Sequence, residues 1–241
     1  MKRFILVVLL VFPVLTLAFW LFLGSNYRHK MRADLAKQTV QNRLDQFGPQ
    51  ARARLKPYFD TAQVTYPPAR LTLVGLKAEK ILEVYAAGAN QSVRFIRSYP
   101  ILAASGGPGP KLREGDQQVP EGVYAIESLN PNSSYHLSLR INYPNAFDRE
   151  QAALEGRTNL GGDIMIHGGA ASIGCLAMGD EASEDLFVLA ADTGLTNITV
   201  ILSPVDFRKH RSVPESGAVP AWTASLYQAI QSNLNGLPTK K

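Results

Sequence analysis

Cys175 is the only cysteine in a chain of 241 residues, and His167, one of four histidines, stands eight positions before it. A lone cysteine cannot form an internal disulfide. Its thiol is therefore either a small apolar filler or a reactive group. The neighbours favour reactivity. Ser172-Ile173-Gly174-Cys175 reads as a short turn, and Gly174 ahead of the sulfur lets backbone approach a substrate closely. A thiol near pH 7 is mostly protonated and needs a base before it can attack, which a histidine on a rigid strand beside the turn would supply. Ser172 is the weaker nucleophile of the two. A zinc site needs three or four ligands, and Asp163 is the only further candidate. Four residues along a strand would put it about 13 Å from His167. No metal and no cofactor is expected. There is no phosphate loop, dinucleotide glycine fingerprint or serine elbow.

The elements that must hold these residues can be read from periodicity. Asp163 to His167 alternates polar and apolar like a half-buried strand, and Gly168-Gly169 break it directly after the histidine. Asp180 is a suitable N-cap for a helix over Glu181 to Ala190, ended by Gly194. From Arg70 onward a period of two gives strands at Leu71–Leu76, Ile81–Tyr85 and Val93–Tyr99, an antiparallel meander. Gly106 to Pro110 is a flexible loop, and Lys111 to Val119 reads as charged and exposed. Pro120-Glu121-Gly122 turns into a strand at Val123–Ile126. Tyr135 to Asn142 alternates, with His136, Ser138 and Arg140 on one face and Tyr135, Leu137, Leu139 and Ile141 on the other. That polar face is either an ordinary solvated one or a groove wall in which His136 and Arg140 contact substrate. Asn197 to Leu202 is a last strand. Trp222, Leu226, Ile230 and Leu234 mark a terminal amphipathic helix.

The wording DIMIHGGAASIGCLAMGD, with PEGVYAI upstream, resembles the active-site signature of the L,D-transpeptidase catalytic-domain family over roughly Arg70 to Pro204. The eight-residue step from His167 to Cys175 is similar to a short-gap branch, which includes a periplasmic enzyme that detaches wall-bound lipoprotein. The resemblance implies a mainly β (α+β) fold, a β-sandwich or barrel with a helix after the cysteine. It implies peptidoglycan stem peptides as substrate, and a wall-linked lipoprotein as a candidate partner. Cys175 would be the nucleophile and His167 its base. The Gly168 carbonyl would orient the imidazole, and backbone N–H groups of Gly174 and Cys175 would hold the oxyanion. Ser172, His136 and Arg140 are the candidate substrate contacts, the arginine pairing with a stem-peptide carboxylate. The resulting thioester would pass to water or to an amine. The alternative is a wall-binding module without turnover, which would need neither Cys175 nor His167.

Composition sets the surroundings. Hydrophobic residues make up 46% and charged residues 19%, ordinary globular values, with a net charge of +5. A basic surface suits an anionic polymer or lipid. With no Lys/Arg run or nucleic-acid motif, no nucleic-acid partner is expected. After Lys2 and Arg3, Phe4 to Leu23 carries no charge and is long enough to span a bilayer, either as an anchor or as a cleaved signal peptide. Arg28, Lys30, Arg32 and Lys37 after it would, counted simply, hold the body in the cytoplasm. The substrate implied by the resemblance puts it in the periplasm, anchored in the inner membrane or secreted. The expected organisation is an anchor or signal over 1–25, a helical stalk over 26–67 broken at Gly48-Pro49, a catalytic domain over 68–205 and a tail over 206–241.

Overall fold

The computed structural model describes residues 37–210, 212–213 and 219–238. The expected apolar span lies outside them. Among the described residues no helix is long and apolar enough to cross a membrane.

Among the described residues nine strands form one mixed sheet. They are β1 (Arg70–Leu76), β2 (Ile81–Ala87), β3 (Arg94–Pro100), β4 (Ala103–Ala104), β5 (Gly122–Ser133), β6 (His136–Ile141), β7 (Met165–His167), β8 (Leu176–Ala177) and β9 (Ile198–Ser203). Their order in the sheet is β3-β2-β1-β9-β5-β6-β7-β8-β4. The meander β1–β2–β3 is antiparallel as its alternation predicts. β1 also pairs with β9, and β7 with β8, in parallel, which local periodicity cannot foresee. β5 joins two halves: Gly122–Ala125 pair with β9, and residues from Ile126 onward pair with β6. The halves face one another. A Cβ on Gly75 of β1 would meet Leu202 Cδ2 at 2.7 Å and Leu176 Cδ2 of β8 at 3.2 Å, so any side chain here would force these leucines to shift.

Four helices complete the fold among the described residues: α1 (Val40–Ala62), α2 (Ala146–Leu154), α3 (Asp180–Thr193) and α4 (Thr223–Asn235). Leu71 and Leu73 on one face of β1 join Leu137, Leu139, Ile166 and Leu176 in the main core, which α1 and α3 close. Val74 and Leu76 on the other face join a second cluster with Leu226, Ile230 and Leu234 of α4. This doubly covered strand explains the near-continuous apolar run LTLVGL.

Three expectations are corrected. Gly48-Pro49 does not end a helix, because α1 runs through both Pro49 and Pro57. An interior proline costs about 3 kcal/mol. Gly48 removes part of the clash because it offers no Cβ to the proline ring. Burial supplies the rest: Ala51 and Leu55 are fully buried and Phe59 nearly so, at about 1.5–3 kcal/mol for each large apolar side chain. Nor does α1 stand apart as a stalk. The described residues from Thr39 onward form one compact unit. Arg52 makes a two-pronged contact with Asp192 at 2.7 and 2.8 Å, and Arg54 lies 2.7 Å from Asp185 and 3.0 Å from Glu184 of α3. The third correction is at α3. Its cap residue is Gly179, and no side chain caps it. Asp180 instead accepts the Gly169 N–H at 2.8 Å.

Candidate active site

β7 and β8 place the two reactive residues. Ile166 pairs with Leu176 and His167 with Ala177, and both Ile166 and Leu176 are fully buried in the core. Side chains alternate along a strand. Met165 and His167 therefore point to the opposite face, and Cys175, next to β8, shares that face. His167 and Cys175 both line a cavity of about 460 Å³, walled further by Tyr135, Asp163, Met165 and Ile173.

The imidazole is fixed on two sides. Its Nδ1 lies 2.6 Å from the Gly168 carbonyl oxygen. A carbonyl can only accept, so Nδ1 carries the proton and Nε2 is left as an acceptor. Tyr135 packs on the ring with centroids 4.7 Å apart and planes at 31°. Gly168 has no room for any side chain: a Cβ there would meet Asp180 Oδ1 at 2.6 Å, Tyr135 O at 2.7 Å and His136 Cβ at 2.9 Å. Around the sulfur, the Met165 N–H donates to Sγ at 3.4 Å, and the thiol reaches the Asp163 carbonyl at 3.7 Å.

Electrostatics keep both groups neutral at rest. Burial pushes the Cys175 thiol above its ordinary value of 9.0; the Met165 N–H and Lys111 oppose this and the charge of Asp163 adds to it. Burial also lowers His167 below its ordinary 6.5, against the bond to Gly168. Both directions disfavour a thiolate–imidazolium pair near pH 7. The arrangement suits an imidazole that takes the thiol proton during attack.

Hydroxyls hold the turn. Ser172 Oγ donates to the Cys175 carbonyl at 2.7 Å and accepts the Cys175 N–H at 3.2 Å and the Ser105 N–H at 3.2 Å. Ser105 Oγ accepts the Gly174 N–H at 2.5 Å and lies 3.1 Å from Ser172 Oγ. Gly174 adopts φ 119°, a region that glycine enters freely. Both N–H groups expected to face an oxyanion are thus engaged by serine oxygens in the resting site.

The other expected contacts fall elsewhere. His136 Nε2 lies 3.0 Å from Glu184 on α3, and its ring packs edge-on against Phe47 of α1 at 4.9 Å. Its side chain supports the helix face and does not line the cavity. Arg140 is paired with Glu127 at 2.8 Å and with Asp163 at 2.5 Å. It borders the cavity through Asp163, with its charge already engaged. Ser172 sits inside the turn it braces. Sequence reasoning missed Ser105, Tyr135 and Lys111. Nothing local distinguishes Ser105 from an ordinary residue before a glycine-rich loop. Lys111, expected to be exposed, is buried at 6% exposure because its Nζ is held by Asp116 at 2.6 Å and by the Arg113 carbonyl at 2.8 Å.

The YkuD family model, described as the L,D-transpeptidase catalytic domain, matches residues 70–201. The chain belongs to the L,D-transpeptidase catalytic-domain family. The match starts at β1 and ends within β9, so it takes in both halves of the sheet and the Cys175 turn. A curated relative in Escherichia coli K12, named "Putative L,D-transpeptidase YafK", is 39% identical over 113 residues, 46% of this chain and 43% of that relative. The similarity thus spans less than half of the relative's length. Among solved structures, the helical cell shape determining protein Pgp2 of Campylobacter jejuni is similar with TM-score 0.47 and 22% identity, covering 56% of this chain and 48% of that one. Bd1075 of Bdellovibrio bacteriovorus is similar with TM-score 0.42 and 19% identity, covering 71% and 56%.

Proposed function

We propose that this L,D-transpeptidase-family domain modifies peptidoglycan by cutting a stem-peptide amide through a thioester on Cys175. His167 Nε2 takes the thiol proton as Sγ attacks the amide carbonyl. A tetrahedral oxyanion forms, the imidazolium gives its proton to the leaving amine, and the C–N bond breaks. Water or an acceptor amine then attacks the thioester, with His167 again taking and returning a proton, and Cys175 is restored as a thiol. Water gives hydrolysis; an amine gives transpeptidation.

The observation that carries this reading is the placing of sulfur and imidazole on one face of the β7–β8 pair, in one cavity, with Nδ1 tied to the Gly168 carbonyl. In this reading Gly168 keeps Nε2 as the basic nitrogen. The Cys175 and Gly174 N–H groups turn from Ser172 and Ser105 to the oxyanion as it forms, a contribution of roughly 3 kcal/mol per donor. Before that, the two serines hold the donors in place. A substrate of this class sets the domain on the periplasmic side, with Phe4 to Leu23 as its anchor or signal.

The test uses full-length protein and purified wall material, with and without an added acceptor amine. Soluble fragments and the mass of the protein are followed together. The expected results are a Cys175-linked acyl adduct, and fragment release that is lost in Cys175→Ala. Undiminished release by Cys175→Ala defeats the mechanism. Dependence on the amine separates exchange from hydrolysis.

A further inference from the structure

His136 stands where the β5–β6 hairpin turns, in a backbone conformation unusual for a histidine. Ser133 pairs with His136, so Ser134 and Tyr135 make a two-residue turn between the strands. His136 itself has φ 69°, in the left-handed region, where a Cβ crowds the following carbonyl. Glycine is the residue that commonly closes such a bulged turn. A strained residue persists only where its surroundings over-determine it, and such residues cluster at functional sites.

Two contacts hold the side chain. Its Nε2 lies 3.0 Å from Glu184 Oε1 on α3, and its ring packs edge-on against Phe47 of α1 at 4.9 Å. Glu184 is held in turn by Arg54 of α1 at 3.0 Å. α1 lies wholly before the residues matched by the family model. The backbone of the same turn lies against Gly168. A Cβ added there would meet the Tyr135 carbonyl oxygen at 2.7 Å and His136 Cβ at 2.9 Å, and the Gly168 N–H donates to the Leu137 carbonyl at 3.2 Å. Tyr135 lays its ring on His167, centroids 4.7 Å apart, while 45% of the residue stays exposed. With so much of it open to solvent, the seat of that ring is set by the backbone that carries it.

We propose that His136 is a positioning residue for the reaction: gripped by Glu184 and Phe47, it fixes the hairpin tip so that Tyr135 covers the His167 ring and Gly168 keeps its carbonyl at Nδ1. The role in turnover rests on the function proposed above. A glycine at 136 would relieve the backbone and lose the grip. Tyr135 would then lift from His167, and the imidazole would meet water and leave its alignment with Sγ. α1, outside the family match, thereby takes part in setting the catalytic base.

The test compares full-length His136→Gly, Tyr135→Ala and the double variant with the parent. The ring protons of His167 are titrated by NMR, their signals assigned by their loss in His167→Gln, and turnover per folded molecule is read on soluble wall fragments. Burial lowers His167 in the parent, so His136→Gly is expected to move its midpoint up towards 6.5. kcat should fall about tenfold or more, as for a misplaced catalytic group, with KM unchanged. His136→Gln, whose amide N–H can still reach Glu184, should fall between. Tyr135→Ala should reproduce both changes, and the double variant should add little to either. A change in melting temperature alone, with midpoint and turnover as in the parent, overturns the proposal and leaves His136 a packing residue. So does a rise in KM at constant kcat, a moved midpoint with unchanged turnover, or full additivity in the double variant. Absence of fragment release by the parent counts against the thioester mechanism; the titration then decides by itself whether His136 seats Tyr135 on His167.

Discussion

The two halves of the sheet are built by different means. β1 is paired along its whole length, over seven residue pairs with β2 and six with β9. β7 has three residues and β8 two. Ladder bonds order the first half. At the β7–β8 end of the second, beyond the β5–β6 ladder, side chains take over: Ser172 and Ser105 brace the Cys175 turn, and Asp180 accepts the Gly169 N–H. A complete ladder would leave no N–H free to respond to substrate. Side-chain partners can move away by a bond rotation, so the short half gives up rigidity of the backbone and keeps donors that can change partner.

The sharpest way to separate the halves is at the sulfur. Cys175→Ala is expected to remove wall-fragment release entirely while the melting temperature stays nearly constant, because the side chain is small and half-buried. A mutation in the long half should do the reverse. Leu73→Ala empties a fully buried position and is expected to cost about 2–5 kcal/mol in denaturant unfolding, with turnover per folded molecule unchanged. If turnover fell with it, the halves would not be separable. Ser172→Ala lies between: it strips partners from the Cys175 carbonyl and from three N–H groups, an expected loss of about 1–3 kcal/mol, together with slower turnover. A stability loss without slower turnover would reduce Ser172 to a plain brace.

The smallest effect is the pH dependence, and its sign follows from the two shifts. His167 is depressed, so its neutral, proton-accepting form prevails from a point below pH 6.5 upward. The thiol is raised, so free thiolate appears only above pH 9.0. kcat/KM is therefore expected to rise through a limb below 6.5 and then stay flat, and alkylation of Cys175 should accelerate only above 9.0. Fast alkylation near neutrality would replace proton transfer during attack with a preformed ion pair. The same depression means that stability contributed by neutral His167 declines as pH falls below 6.5, since the unfolded chain takes up that proton first.

How much of this the sequence shows depends on the span of the contacts. The strand ending at His167, the turn at Cys175, the helix ended by Gly194 and the apolar stripe of α4 all arise from neighbours within a few residues, and periodicity and glycines reveal them. The missed features are long-range. Ser105 meets Ser172 across 67 positions, and Arg52 meets Asp192 across 140. His136 illustrates the same limit. Alternation places it on the polar side of β6, but only the packed positions of α1 and α3 decide that its ring meets Phe47 and Glu184.

The docking of α1 bears on how this protein can be handled. A recombinant piece trimmed to the limits of the family match, Arg70 and Ile201, would leave an oily trench where Leu55 and Phe59 had been. It would also strip the Arg54 counter-charge from Asp185, a carboxylate that is fully buried. Such a piece, which also lacks Leu202 and α4, should precipitate or misfold even though it carries every residue of the Cys175 cavity, and restoring the chain from Thr39 through α4 should cure it.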